Sequence, residues 1–157
     1  MKKGFILVEL MIAVAIIAFL TMVAIPSFAT FMGKAKRTEA YANLHSIYTA
    51  QQLYRAEHGR YAQSLNGPDG LGWKPQGYTT GGANEHFNYT YGFAHGGECT
   101  GYCTGKLNTS ASHLGQAFAN DTAFMVLAAA DIDGDGEPDI LAIDQNNVIT
   151  ILRDDLA

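Results

Sequence analysis

The first third of the chain carries a hydrophobic pattern that predicts one long helix. Residues 5 to 25 form an apolar run that only Glu9 and Thr21 interrupt. Beyond Pro26, apolar residues recur at three- and four-residue steps among good helix formers, which is the period of a helix with one buried face. The recurring residues are Ala40, Leu44, Ile47, Tyr48 and Tyr54. Gly59 is the expected end of this helix. A helix of that length would be about 80 Å long, so its first half must project from a small domain.

The last third of the chain predicts strands. Three apolar runs cover residues 123 to 130, 140 to 143 and 148 to 152, and Gln145-Asn146-Asn147 is a hairpin turn candidate between the last two. Residues 59 to 106 are rich in Gly, Tyr, Asn and Thr and predict a long loop. Within this loop, alternating aromatic residues at 87 to 93 predict one short strand. The sequence therefore predicts an α+β fold, in which a long protruding N-terminal helix packs on a C-terminal antiparallel β-sheet.

Composition and charge narrow the class of protein. The chain has 157 residues, with 10 Lys and Arg against 15 Asp and Glu, and its formal net charge is −5. This length supports one domain with a modest core, and the acidic balance disfavours nucleic acid as a partner. No phosphate-binding loop, no nucleophile with an adjacent base and no paired catalytic carboxylates outside one acidic loop can be recognised. The sequence therefore indicates a protein that is not an enzyme.

The basic start and the apolar run allow two ordinary interpretations. A secretory signal peptide would have an apolar core of about 7 to 15 residues, which is shorter than the run seen here, and it would lack a carboxylate in that core. A single-pass membrane anchor fits the length, but it does not explain Glu9. A carboxylate within lipid costs about 2.5 to 3.5 kcal/mol on insertion scales, so Glu9 calls for a cationic partner.

The segment Gly4-Phe5-Ile6-Leu7-Val8-Glu9 and the following run to Pro26 resemble the N-terminal signature of the type IV pilin family. The resemblance implies that a prepilin peptidase removes residues 1 to 4, cutting after Gly4, and that Phe5 becomes the methylated N-terminus. Glu9 is then the fifth mature residue, and Pro26 also matches the family. Ala18 departs from it, because many members have Gly there. The family fold, a pilin-like roll, is the α+β fold predicted above.

The resemblance also divides the chain. It implies a leader at residues 1 to 4, a hydrophobic helix at residues 5 to 33 that spans the membrane and later forms a filament core, and a globular body at residues 34 to 157. Once the chain begins at Phe5, its α-amino group lies about one helical turn from Glu9. These two charges can pair within one helix or between neighbouring subunits, where a buried polar pair would fix the register. Both alternatives remain open at this point.

Cys99 and Cys103 are the two cysteines of the chain, and they lie in a Gly-rich segment. A zinc site would need His95 or His113 together with a fourth ligand that the sequence does not offer. We therefore expect a Cys99–Cys103 disulfide, which would place the body in an oxidising compartment.

The segment from residue 131 to residue 139 is an acidic loop between two predicted strands. Its Asp residues occupy loop positions 1, 3, 5 and 9, and Gly136 provides the turn at position 6, as in Ca²⁺-binding loops. The expected side-chain ligands are Asp131, Asp133, Asp135 and Asp139, with the carbonyl of Glu137 at position 7. Ala142 at position 12 excludes a helical EF-hand, and Mg²⁺ fits less well because it keeps its waters. The alternative is an acidic turn that binds no ion.

Three functions fit these patterns. The leading hypothesis is a structural subunit, the major pilin, of an extracellular type IV pilus. Such a subunit would be an inner-membrane precursor, would associate with the pilus assembly machinery and would form a helical homo-oligomer with a Ca²⁺-stabilised body. The second is a pseudopilin of a type II secretion system, whose fibre stays in the periplasm. The third is a monomeric membrane-anchored calcium-binding protein, for which Glu9 would be dispensable.

Overall fold

A computed structural model of the protein describes residues 6 to 156, apart from the side chains of Pro26 and Ala29. A long helix, α1, covers Leu7–His58 and contains 52 residues. It ends where Gly59 takes a left-handed conformation with φ of 74°, and the Gly59 N–H donates to the Arg55 carbonyl at 2.8 Å. Glycine adopts this conformation without a Cβ clash. The long helix and its predicted end are confirmed.

The two halves of α1 have different surroundings. The large apolar side chains between Ile6 and Met32 are 43% to 77% exposed, whereas Ala40, Leu44 and Ile47 are fully buried. The most apolar 18-residue stretch of this helix has a mean hydropathy of 2.7, and none of it is buried. By length and composition the helix can cross a membrane. The predicted amphipathic stripe is therefore the core-facing side of the second half.

Within the described residues, six antiparallel strands form one sheet. They are β1 (Thr90–Gly92), β2 (Tyr102–Cys103), β3 (Phe118–Ala119), β4 (Phe124–Ala130), β5 (Asp139–Asp144) and β6 (Ile149–Arg153). The strand order is β2-β1-β4-β5-β6, and β3 pairs with β4. The three predicted C-terminal strands are confirmed as β4, β5 and β6, and a turn joins β5 to β6 where one was expected.

The strand predicted at residues 87 to 93 is shorter than expected. The N–H of Asn88 donates to Glu39 of α1 at 2.9 Å, and the carbonyl of Phe87 accepts from Lys106 at 2.8 Å. These backbone groups are used by contacts outside the strand ladder, so β1 covers only Thr90–Gly92. The long loop between α1 and the C-terminal sheet therefore contributes β1 and β2 to the sheet.

The sheet is covered on both faces. On one face α1 and the loop aromatics pack against alternating β4 and β5 residues, among them Val126, Ala128 and Leu141. On the other face Leu114, in a short 3₁₀ helix at Ala111–Leu114, packs with Leu127 and Ala142. Both faces of β4 are covered in this way, which explains why all of its residues are apolar.

Residues 154 to 156, here called the C-terminal segment, return to α1 where its exposed half ends. A Cβ atom added to Gly33 would lie 2.5 Å from Leu156 Cδ2, so the absence of a side chain at Gly33 lets Leu156 approach the helix. Ile132 of the acidic loop is also next to Gly33, because its Cγ2 would lie 3.4 Å from the same added Cβ atom. The acidic loop, the C-terminal segment and the junction of the two halves of α1 are therefore neighbours.

Candidate functional site

Four carboxylates converge beside the junction of α1. Each of these four residues offers one carboxylate oxygen, and all four oxygens lie within 4.8 Å of one another. Three of the residues, Asp131, Asp133 and Asp135, belong to the acidic loop, and the fourth is Asp155. Asp133 and Asp135 are exposed, whereas Asp131 and Asp155 are half-buried. Carboxylate oxygens at this spacing are the ligand type that Ca²⁺ prefers. The arrangement could hold a divalent cation at the surface of the body.

The backbone of the loop is ordered by its own Asp side chains. Asp131 accepts the N–H groups of Gly134 at 2.8 Å and Gly136 at 3.1 Å. Asp133 accepts from the Asp135 N–H at 3.0 Å, and Asp135 accepts from the Glu137 N–H at 2.7 Å. A carboxylate has about four lone-pair sites, so these bonds leave each Asp able to bind a cation as well. The donor set could therefore hold a metal ion.

Asp155 is the ligand candidate that the loop pattern missed. It follows β6, and its Oδ2 accepts the N–H of Ile132 at 2.7 Å, which ties the C-terminal segment to the acidic loop. Burial, and then the charges of Asp133 and Asp135, raise the pKa of Asp155. The sequence did contain a signal for Asp155. If Gln145-Asn146-Asn147 is a hairpin turn, the strand after it runs antiparallel to the strand before it, so the residues that follow β6 lie beside the start of β5. In the structure Ile140 pairs with Arg153.

Asp139, the predicted fourth side-chain ligand, has a different role in this structure. It begins β5, is fully buried and binds Arg37 of α1 through both carboxylate oxygens, at 2.6 and 3.0 Å. The hydroxyl of Tyr89 donates to it at 2.7 Å. Entry into the strand turns this side chain towards α1, so Asp155 replaces Asp139 in the candidate ligand set. Glu137 was predicted to offer its backbone carbonyl. Its side chain forms a salt bridge with Arg153, with 2.5 Å between Oε2 of Glu137 and Nη1 of Arg153.

Arg37 links the site to α1. Besides Asp139, it binds Asp154 of the C-terminal segment through two hydrogen bonds. Burial lowers the pKa of Arg37, but the hydrogen bonds to Asp154 and Asp139 outweigh that effect and raise its pKa above the ordinary value. The hydrogen bond from Arg37 also lowers the pKa of Asp154. One guanidinium therefore joins α1, β5 and the C-terminal segment.

Of the residues predicted to act in processing and assembly, the structure describes Glu9 in full. Glu9 is exposed, and its Oε2 accepts the N–H of Ile6 at 3.3 Å. Gly4 and Phe5 lie outside the described residues, as does the side chain of Pro26, so the pairing of Glu9 with the Phe5 amine stays a prediction.

The predicted disulfide is not formed in this structure. Cys99 and Cys103 are free thiols with their Sγ atoms 3.7 Å apart, whereas a disulfide bond is about 2.05 Å long. The two cysteines are nevertheless brought together, and their pairing stays a prediction.

Comparison with known proteins gives relatives for the N-terminal part of the chain. No family model matches. The chain is 46% identical over 65 residues to the type IV major pilin protein PilA of Myxococcus xanthus, a match that covers 41% of this chain and 30% of that protein. It is 35% identical over 72 residues to the type IV wide pilus major component PilA4 of Thermus thermophilus, covering 46% and 55%. It is 28% identical over 74 residues to the type II secretion system core protein G of Pectobacterium carotovorum, covering 47% of each. The chain thus matches about a third to just over half of the length of these relatives.

Proposed function

Because its N-terminal region makes this chain a member of the type IV pilin family, a family of structural proteins, we propose that it is the major subunit of an extracellular filament. The subunit is held in the inner membrane by its apolar helix until a prepilin peptidase removes the leader and the assembly machinery adds it to the fibre. The observation that carries this proposal is the exposed apolar half of α1, which the body of the same chain leaves uncovered.

Two environments can cover that surface, namely lipid and neighbouring helices. Lipid tails are as apolar as Leu or Ile, so the hydrophobic effect does not favour one environment over the other. Glu9 does discriminate between them. Its charge is costly in lipid, and in a helix bundle it can pair with the α-amino group of a neighbouring Phe5. Leaving the membrane for the filament is therefore favoured by a polar pair rather than by additional apolar burial.

The test is the substitution Glu9→Gln, with Glu57→Gln as a matched control at the exposed far end of the same helix. We expect Glu9→Gln to remain in the membrane fraction after alkaline extraction while the yield of sheared filaments falls at least tenfold. Glu57→Gln should assemble normally. Normal filament yield from Glu9→Gln at equal expression would contradict the intersubunit pair, and it is the result expected of a monomeric membrane-anchored protein.

We further propose that Ca²⁺ stabilises the body through Asp131, Asp133, Asp135 and Asp155. An ion bound there would offset the repulsion among these four charges. It would also hold the acidic loop to the C-terminal segment, and through Asp154 and Arg37 to α1. The support for this proposal is the convergence of four carboxylates from two separate segments.

A pseudopilin is the second candidate, favoured by the similarity to a type II secretion core protein. The two candidates differ in where the fibre lies. Electron microscopy of sheared surface material, with peptides identified by mass spectrometry, should find this chain in long surface fibres. Its presence in the periplasm alone would favour the pseudopilin.

A further inference from the structure

A cleft lies where the free half of α1 enters the body. Its volume is about 610 Å³, within the range of about 300 to 1,000 Å³ that is typical of ligand pockets. Helix α1 forms one wall of the cleft, and the acidic loop and the C-terminal segment form the other. This space, here called the junction cleft, is large enough to hold part of a small molecule or lipid.

Apolar side chains line the junction cleft on both walls. Phe28 and Met32 line it from the helix and are 66% and 43% exposed. Ile132 and Leu156 line it from the body and are half-buried. Apolar surface that remains in contact with water is unfavourable. These walls therefore favour an occupant that carries hydrocarbon.

Three charged side chains also line the junction cleft. Lys36 is half-buried, and it forms no salt bridge with any residue that the structure describes. Asp133 and Asp155 line the same cleft, and neither has a basic partner within that part of the chain. A partly buried charge is stabilised by a counter-ion. A fitting occupant therefore offers an anion to Lys36 and a cationic hydrogen-bond donor to the two carboxylates.

The position of the junction cleft along α1 brings it to the membrane surface in the proposed precursor. About 20 helical residues span about 30 Å, which is the thickness of the hydrocarbon core of a bilayer. If the core begins at Ile6, it ends near residue 26, so Phe28 and Met32 lie in the headgroup layer. The junction cleft then opens among lipid headgroups.

A phospholipid with an ethanolamine headgroup has all the required groups. Its phosphodiester is an anion, its primary ammonium is a cation with three N–H donors, and its acyl chains are hydrocarbon. A choline headgroup has no N–H to donate, and a glycerol headgroup has no cation. Of these three headgroups, ethanolamine alone can serve both Lys36 and the carboxylates.

We propose that the junction cleft is a binding site for an ethanolamine phospholipid, whose phosphate pairs with Lys36 and whose ammonium lies between Asp133 and Asp155. The apolar walls contact the first part of an acyl chain. This inference rests on the proposed membrane-held precursor, because that form has lipid beside the cleft. Asp133 and Asp155 also belong to the proposed Ca²⁺ site, so the ion and the lipid compete for the same two carboxylates.

The test is native mass spectrometry of the full chain in detergent, with a chelator present. Ethanolamine, choline and glycerol phospholipids with the same acyl chains are added in equal amounts. We expect wild-type protein to retain the ethanolamine lipid at least tenfold more than either of the others. Lys36→Ala and Asp133→Asn should each lower this retention at least fivefold. The matched controls Lys106→Ala and Asp121→Asn change exposed charges that do not line the cleft, and they should retain the lipid as wild type does.

Equal retention of the three lipids, or full retention by Lys36→Ala, would overturn the proposal. A preference for the glycerol lipid would also overturn it, because that anion needs only Lys36. A dimer that retains no lipid would show that a second copy of the chain fills the cleft instead. Flotation with vesicles of choline lipid, with and without ethanolamine lipid, tests the membrane-held precursor separately. A chain that floats with both vesicles but shows no lipid preference contradicts this binding site alone, whereas a chain that floats with neither contradicts the proposed precursor.

Discussion

Arg37 joins three parts of the structure, namely α1, β5 and the C-terminal segment, through one guanidinium. Its guanidinium meets one carboxylate at the start of β5 and another in the C-terminal segment, and it approaches Asp139 with two nitrogen atoms at once. Asp139 is fully buried, so its charge depends on Arg37 and the Tyr89 hydroxyl for compensation. Lysine cannot reproduce this two-point contact, because its ammonium is a single point charge.

The first prediction concerns this pair. Arg37→Ala leaves Asp139 buried without its cation, and losses of this kind cost about 3 to 5 kcal/mol. We expect a decrease of that size in the free energy of unfolding, measured with denaturant on the full chain in detergent. Lys106→Ala, which removes an exposed cation far from this pair, should change it by less than about 0.5 kcal/mol. Equal effects of the two substitutions would mean that the pair contributes nothing to stability.

Glu85 shows how a buried carboxylate is kept ionised. It is 2% exposed, and its Oε1 accepts the N–H groups of Thr79, Thr80 and Gly81 at 2.8 to 2.9 Å. Burial would raise its pKa, but these bonds and the Thr79 hydroxyl lower the pKa to about 2. No pattern in the sequence singles out this residue, because its donors are assembled by the fold of the loop.

The second prediction is a pH dependence. A carboxylate with a lowered pKa stabilises the fold fully above its unfolded value of 4.5, and the stabilisation is lost as the pH falls towards 2. Glu85→Gln should therefore be less stable than wild type at pH 7, by up to ~3 kcal/mol. The difference should shrink on acidification from pH 4.5 to pH 2. Thermal unfolding at stepped pH measures it, and a difference that stays constant over this range would contradict the assignment.

At the scale of elements, periodic patterns were predictable and short pairings were not. The stripe on α1 is long enough to show its helical period, and β4, β5 and β6 are apolar runs long enough to be recognised as strands. The strands β2 and β3 contain two residues each, and they exist only because a partner strand lies beside them. The candidate ligands also differ in how far the sequence could predict them. Asp131, Asp133 and Asp135 lie within one loop and show a recognisable spacing, whereas Asp155 is brought to them only by the pairing of β5 with β6.

The third prediction tests the acidic loop as an element. If Ca²⁺ binds with a Kd of about 10 μM, a concentration of about 1 mM adds roughly 2.7 kcal/mol of stability. For a chain of this length that gain raises the Tm by roughly 5 to 10 °C. Asp155→Asn and Asp133→Ala should abolish this response, whereas Asp121→Asn, an exposed residue outside the cluster, should preserve it. Identical melting curves with and without chelator, in folded protein, would show that the loop is only an acidic turn.

At the scale of the whole molecule, the body begins to cover α1 at Gly33, where Leu156 packs on the helix. Residues 6 to 32 would span roughly 40 Å as a helix, which exceeds the hydrocarbon thickness of a bilayer of about 30 Å. The free part of α1 is thus long enough to cross a membrane and still hold the body clear of it. In the proposed filament, the same length of helix would be available to neighbouring subunits.

The last prediction follows from this division of the molecule. The proposed cleavage after Gly4 would remove Lys2 and Lys3 and create an α-amino group on Phe5, which would supply the cation that Glu9 requires. Mass spectrometry of filament protein should therefore find a mature N-terminus at methylated Phe5, and Gly4→Leu should leave an uncut precursor in the membrane that forms no filaments. Ser27-Phe28-Ala29 has the small residues of a signal-peptidase site, so an N-terminus at Thr30 would instead show removal of the whole apolar run as a secretory signal. In that case the exposed half of α1 would be absent from the mature protein, and the filament function would be excluded along with it.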